Sequence, residues 1–234
     1  MNTPPLIEVL ARYSSAFHPV VPFDPLRDKL VLFDFSKNND EIFEDIFSNT
    51  QKFTNYVNQK LQSAGAKFGI GGYDEYREVY RRSAVFDPKT GEEPRRVHLG
   101  IDIWGRPYTA VMSPWDGIVH SFAFNNNFGD YGVTLILSHN LDQVAFHTLY
   151  GHLSLNSIKN LREGGNVRKG DVVAEFGIPM ENGQWPPHLH FQVIEDIGVW
   201  TGDYPGVCKF SEREKYLKNC PDPDLILGMM KYAR

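Results

Sequence analysis

Between residues 97 and 195 the chain breaks into short runs, VHLGIDIW, GIVHSFAF, GVTLILSH, VAFHTLYGHLS, DVVAEFG and HLHFQVIE, cut apart by NNNFGDYG, REGGNVRKGD and PMENGQWPP. Turn signals at a spacing of roughly 8–12 residues are the pattern of an all-β sandwich or barrel. The 20 glycines and 15 prolines among 234 residues supply those turns, and 41% apolar residues give enough material for a core.

The flanks read differently. Leu30–Phe35 is a short apolar run that predicts a strand, and Phe43, Ile46, Phe47, Phe53, Val57 and Leu61 recur at helical intervals. They predict one helix, or two consecutive ones, over 39–64, with Asn38 and Glu41 at capping-box spacing and a stop at Gly65. Residues 67–96 are rich in glycine and charge and read as loop and edge structure. Near the end, Ser211 with Glu214 predicts a helix start, and Asp222-Pro223 opens another helix running from Leu225 to Met230. The expected organisation is a strand-and-helix extension over 1–66, a β domain over 67–200 and a helical extension over 201–234 packed on the same core. The fold class is mainly β, α+β overall.

With 24 basic against 29 acidic side chains, the net charge is −5. A nucleic-acid binder would carry a basic face instead, so no nucleic-acid partner is expected. No run of ~18 apolar residues predicts membrane insertion. The opening residues lack a basic leader and a continuous apolar stretch, which reads as a cytoplasmic protein. Cys208 and Cys220 are too few to staple a fold of this size and read as free thiols.

The histidines are the chemical signal. In a strand, residues two or four apart share a face, so His98, Gly100 and Asp102 are expected on one face. His188, His190 and Gln192 are expected on another, each face backed by apolar neighbours. Imidazole with carboxylate is a donor set that suits zinc, and three protein ligands leave a fourth position for water. His98, Asp102 and one histidine of the 188/190 pair supply that set. No H-E-x-x-H, G-x-S-x-G or G-x-x-x-x-G-K-[ST] motif competes. Without the glutamate of H-E-x-x-H, a base or oxyanion donor falls to another histidine, and His152 is the candidate. His18, His120, His139 and His147 read as packing or exposed residues.

Taken together, His98-x-x-x-Asp102, Tyr150-Gly151-His152-Leu153-Ser154 and Pro187-His188-Leu189-His190-Phe191 closely resemble the lysostaphin/LytM-type zinc metallopeptidases. Ser113–Val119 and Val167–Val173 look like that family's connecting strands and turns. The resemblance implies a two-layer antiparallel β-sandwich or barrel-sandwich hybrid core with a groove over one sheet, and an endopeptidase acting on peptidoglycan-type peptides or muropeptides. It implies one zinc ion held by His98, Asp102 and His190, flanked by His152 and His188. Tyr150 and Trp185, with Tyr131 and Trp104, are expected to wall the groove, and the lip Gln184-Trp185-Pro186-Pro187 to narrow it. Asp74, in Gly71-Gly72-Tyr73-Asp74-Glu75, is an expected occluding residue of the kind that keeps some relatives latent. The alternative is a catalytically silent zinc-containing scaffold or regulatory module of the same fold. A barrel-sandwich carrier domain would carry a lysine at an exposed hairpin tip, and none is present.

Overall fold

Most of the short runs between residues 97 and 195 contribute strands to one large sheet, and the DVVAEFG run pairs outside it. The computed structural model describes residues 4–36, 39, 44–88 and 91–234. Its strands are β1 (Leu30–Leu32), β2 (Phe68–Gly71), β3 (Arg95–His98), β4 (Ile101–Trp104), β5 (Ala110–Met112), β6 (Gly117–Asn125), β7 (Gly132–Leu141), β8 (Val144–Leu153), β9 (Asn166–Val167), β10 (Val172–Glu175), β11 (His188–Ile194) and β12 (Val207–Lys209). The helices are α1 (Leu6–Arg12), α2 (Glu44–Phe47), α3 (Thr50–Ala64), α4 (Leu155–Ile158), α5 (Arg213–Asn219) and α6 (Asp224–Leu227). An eight-stranded sheet runs β1-β2-β4-β11-β8-β7-β6-β9, and two-stranded pairs β10-β5 and β12-β3 accompany it. The fold is mostly β, and among the described residues the sheet does not close into a barrel.

Alternation along β4 and β11 sorts the sheet's two faces. Ile101, Ile103, Leu189, Phe191 and Val193 enter the main core together with Val111 of β5 and Ala174 of β10, the small second layer. α1 and α6 close the same core through Leu6, Val9, Leu10 and Ile226. The opposite face carries Asp102, Trp104, His188, His190 and Gln192, all buried. A second, aromatic core covers part of it: Phe33, Phe35, Phe47, Phe53, Tyr80, Trp104 and Trp185.

Two expectations need correction, and of the alternatives left open for the helical stretch two consecutive helices are found. Residues 68–71 are not loop: β2 sits inside the sheet, parallel to β1 and antiparallel to β4. Its glycines are there for close approach, since a Cβ on Gly71 would stand 2.2 Å from the Phe33 carbonyl oxygen. The helical stretch is two helices, α2 and α3, and α3 starts at Asn49, whose side chain accepts the Lys52 N–H at 3.0 Å. The Asn38–Glu41 capping box lies outside the described residues. Gly65 does end the helix, in the left-handed region at φ 58°. Finally, Ser211 caps nothing: its N–H and hydroxyl both donate to Glu93, and α5 begins two residues later without a side-chain cap. Asp222 does organise the last helix, accepting the Asp224 N–H at 2.9 Å. Cys208 and Cys220 are buried free thiols. Among the described residues no helix is long and apolar enough to cross a membrane.

Candidate metal and catalytic site

His190 lies directly opposite Asp102 in the β11–β4 register and opposite Gly151 in the β11–β8 register. Same-face placement of His188 and His190 follows strand parity. The His98–Asp102 pair does not: the chain bends between β3 and β4, so the two residues belong to strands of different sheets. Gly100 makes the bend possible, because a Cβ there would stand 2.5 Å from the His190 ring. The space above Gly100 is filled by that imidazole.

Three donor atoms converge. His98 Nε2 lies 2.8 Å from His190 Nδ1, and Asp102 Oδ1 lies 3.3 Å from the first and 3.2 Å from the second. Tetrahedral zinc with bonds of ~2.0–2.1 Å separates its ligand atoms by ~3.3 Å, so the triangle fits such an ion. The outer nitrogens strengthen the case. His98 Nδ1–H donates to the Gly72 carbonyl at 2.8 Å, and His190 Nε2–H donates to Gln192 Oε1 at 2.9 Å. Gln192 is oriented in turn, its amide donating to the Pro205 carbonyl and Cys220 Sγ. With those protons spoken for, the two inward nitrogens both present lone pairs, an arrangement that a cation satisfies and a neutral pair does not.

Arg77 completes the centre. Buried at 2% exposure, it donates to Asp102 Oδ2 and to Glu75, and to the Gly71 carbonyl at 3.3 Å. Its guanidinium also packs over the rings of Phe35 and Trp104. Burial alone would raise the Asp102 carboxyl, yet the nearby imidazoles and Arg77 hold it well below the usual carboxylate range. Burial, helped by the Arg77 charge, pushes His98 down to about 3.

His152 and His188 stand beside this cluster with ring centroids 4.1 Å apart. His152 Nδ1–H donates to the Asn182 carbonyl at 2.8 Å, and His188 Nδ1–H to the Pro186 carbonyl at 2.7 Å. Their Nε2 atoms are therefore lone-pair bearing, and that of His188 lies 3.9 Å from Asp102 Oδ1. Burial drives His188 down to about 4 and, with His188 and His190 nearby, His152 well below its ordinary value. Both are neutral bases near pH 7. His152 has φ +63°, a left-handed backbone that is uncommon outside glycine, and it is held by hydrogen bonds to Tyr131 and Gly177.

The other candidates divide. Trp185 lines the cavity over the site, as do Tyr131 and Trp104. Tyr150 does not: it is fully buried in the main core against Phe191, its hydroxyl bonded to Thr148. Parity sends it to the face opposite Gly151. Asp74 is aimed away from the donors, in a two-point ion pair with Arg213. The neighbouring stretch reaches the site instead through the Gly72 carbonyl and Arg77. His139 is a packing residue stacked on Phe146, and His120 and His147 meet each other edge to face. Arg77, Gly72 and Asn182 escaped the sequence reading. Gln192 was visible in it, through its shared parity with His188 and His190.

Residues 96–200 match the model of peptidase family M23. The L-Ala–D-Glu endopeptidase of Bacillus subtilis (strain 168) is 29% identical over 150 residues, which cover 61% of this chain and 44% of that protein. The chain thus spans under half the length of this curated relative. Among solved structures, the catalytic domain of the antimicrobial peptidase lysostaphin from Staphylococcus simulans aligns with TM-score 0.44 and 22% identity, covering 75% of this chain and 97% of that one. A zinc-containing peptidase from Vibrio cholerae aligns with TM-score 0.34 and 31% identity, covering 45% and 29%. The stretch that carries His98, Asp102, His152, His188 and His190 is a domain of peptidase family M23.

Proposed function

We propose that the chain is a zinc-dependent peptidase, with one zinc ion at His98, Asp102 and His190, that hydrolyses peptide bonds in peptidoglycan-type peptides containing Gly or D-Ala. The observation that carries the reading is the triangle of inward donors at 2.8–3.3 Å whose outer N–H groups are already committed. When bound, zinc supplies Lewis acidity that polarises a peptide carbonyl and makes water a better nucleophile. The B. subtilis relative, an L-Ala–D-Glu endopeptidase, supports peptide hydrolysis and stem-type peptides as the substrate class.

The chain's own residues handle the proton. Hydrolysis consumes one water: its hydroxyl goes to the acyl carbon, the C–N bond breaks, and its proton ends on the leaving amine. His152 and His188, neutral and anchored by backbone carbonyls, present Nε2 lone pairs on the same side of the donor cluster. One accepts the water's proton, and the other steadies the carbonyl oxygen or delivers a proton to the amine. Arg77 keeps Asp102 Oδ2 occupied, so that Oδ1 alone faces the two imidazoles.

Metal analysis combined with hydrolysis of cross-linked muropeptides and oligoglycine tests this. His190→Ala is expected to lose stoichiometric zinc. His152→Ala is expected to retain zinc while hydrolysis falls by about 10²–10⁴-fold, the usual contribution of a positioned acid–base group. Full activity in His152→Ala refutes the assignment, and stoichiometric zinc without hydrolysis of any peptide transfers support to the scaffold reading.

A further inference from the structure

We propose that Tyr131 is a positioning residue that holds the candidate ligand His190 and the proton-handling His152 in fixed relation; this rests on the peptidase reading above and adds a residue to its machinery. Tyr131 immediately precedes β7 and lines the cleft over the site. Three separate parts of it reach the two histidines. Its carbonyl accepts the His152 N–H at 3.0 Å. Its ring packs on both imidazoles, with centroids 5.4 Å from that of His152 and 5.2 Å from that of His190. Its hydroxyl lies 3.4 Å from His190 Nε2, beside the closer Gln192 acceptor at 2.9 Å. The two imidazole centroids are themselves 6.4 Å apart, so a ring packed on both sets their separation.

Two absent side chains cut the slot for that ring. Gly151 lies opposite His190, and a Cβ there would stand 2.4 Å from Tyr131 Cδ1. On the hydroxyl side, a Cβ at Gly206 would stand 1.8 Å from the Tyr131 oxygen, 2.8 Å from Cζ and 3.2 Å from His190 Cε1. Neither glycine has a positive φ. Close approach of the phenol ring, not backbone freedom, is what glycine supplies at both places.

The loop that carries Tyr131 is fixed to the loop that holds the His152 ring. The Gly129 N–H donates to the Gly183 carbonyl at 2.8 Å, and the Val133 N–H to the Glu181 carbonyl at 3.1 Å. Between those acceptors sits Asn182, whose carbonyl takes His152 Nδ1–H at 2.8 Å. The main chain of His152 is thus held through Tyr131 and its ring through Asn182, and the two supports are joined. A reacting group misplaced by ~1 Å can lose about 10²-fold in rate, so a spacer at this point governs turnover.

The test compares zinc-loaded full chains carrying Tyr131→Phe, Tyr131→Leu, Gly206→Ala and the Gly206→Ala/Tyr131→Phe pair, each checked for zinc content and denaturation midpoint. Tyr131→Leu removes the spacer, and kcat is expected to fall about 10–10²-fold with zinc retained and KM changed less than about threefold. Tyr131→Phe keeps the ring and should lose only a few-fold. Gly206→Ala displaces the tyrosine without deleting it and should resemble Tyr131→Leu. Removing the hydroxyl in the double variant clears the nearest clash, so kcat should recover by about threefold or more over Gly206→Ala. An unchanged kcat in Tyr131→Leu, or a double variant no better than Gly206→Ala, overturns the inference and leaves the peptidase reading intact. Where Tyr131→Leu fails to fold, the Gly206→Ala pair decides. Should the unaltered protein cut no peptide, the peptidase reading fails, and the ring-proton resonances of His152 and His190 decide. Resonances that move in Gly206→Ala and return toward their original positions in the double variant support the spacer, and resonances that do not move overturn it.

Discussion

Residues 96–200 and residues 30–95 contribute to the same site in different chemical currencies. The later segment, which matches peptidase family M23, supplies every inward-facing donor: His98, Asp102, His152, His188 and His190. The earlier segment supplies none of these. It contributes the Gly72 carbonyl to His98, the Glu75–Arg77 pair to Asp102, and Phe35, Phe53 and Tyr80 to the lining of the cleft over the site. The converging donors alone therefore do not define this centre; His98 and Asp102 are oriented from outside the family-matched stretch, through the Gly72 carbonyl and Arg77.

That division of labour can be broken at its hydrophobic seam first. Phe53 is 2% exposed and touches the rings of Phe35, Phe47 and Trp185. Phe53→Ala is expected to cost about 3–5 kcal/mol of stability, read by chemical denaturation. A loss near zero would mean that the extension is only draped on the domain.

A sharper cut is Arg77→Met. The outer-shell partner of a metal ligand is typically worth about 10–100-fold in metal affinity, and that loss is expected in a competition titration with a chromophoric chelator. Cobalt(II) substitution adds a signature, because a carboxylate freed at Oδ2 is able to bind through both oxygens and would weaken the absorption typical of four-coordinate cobalt. Unchanged affinity and spectrum would reduce Arg77 to packing.

The smallest effect concerns acid. His139, outside the site, is held by burial at about 4 against an ordinary value of 6.5. It is neutral when folded, whereas the unfolded chain takes up a proton near pH 6.5. Its contribution is complete above that pH and is lost as pH falls toward about 4. His139→Gln is expected to flatten the stability profile of metal-free protein in that window. An unchanged slope would assign acid sensitivity to the site histidines alone.

The same two regions differ in how readable they are from sequence. Strand parity finds His188, His190 and Gln192 because β11 is a regular strand with an apolar reverse face. The His98–Asp102 pairing is correct for a different reason than parity: a bend at Gly100, not a shared face, brings the donors together. Tyr150 fails because the chain turns left-handed only at His152, so neighbours in one motif end on opposite sides of the sheet. In the 67–96 stretch, charge and glycine look like solvated loop. A backbone carbonyl such as that of Gly72 has no side-chain signature, and Arg77 sits in a run, EYREVYRR, that resembles an exposed face. Asp74 looked more like a ligand than Arg77, and only the fold shows that it pairs with Arg213.

The left-handed backbone at position 152 also dictates how that histidine should be interrogated. Alanine accepts positive φ poorly, whereas asparagine adopts it with little strain. An alanine scan there would confound the removed imidazole with a distorted Gly151–Leu153 link between β8 and the Tyr131 loop. Asparagine keeps the main chain in place while deleting the imidazole, so the difference between the two replacements measures the conformational share of whatever activity is lost.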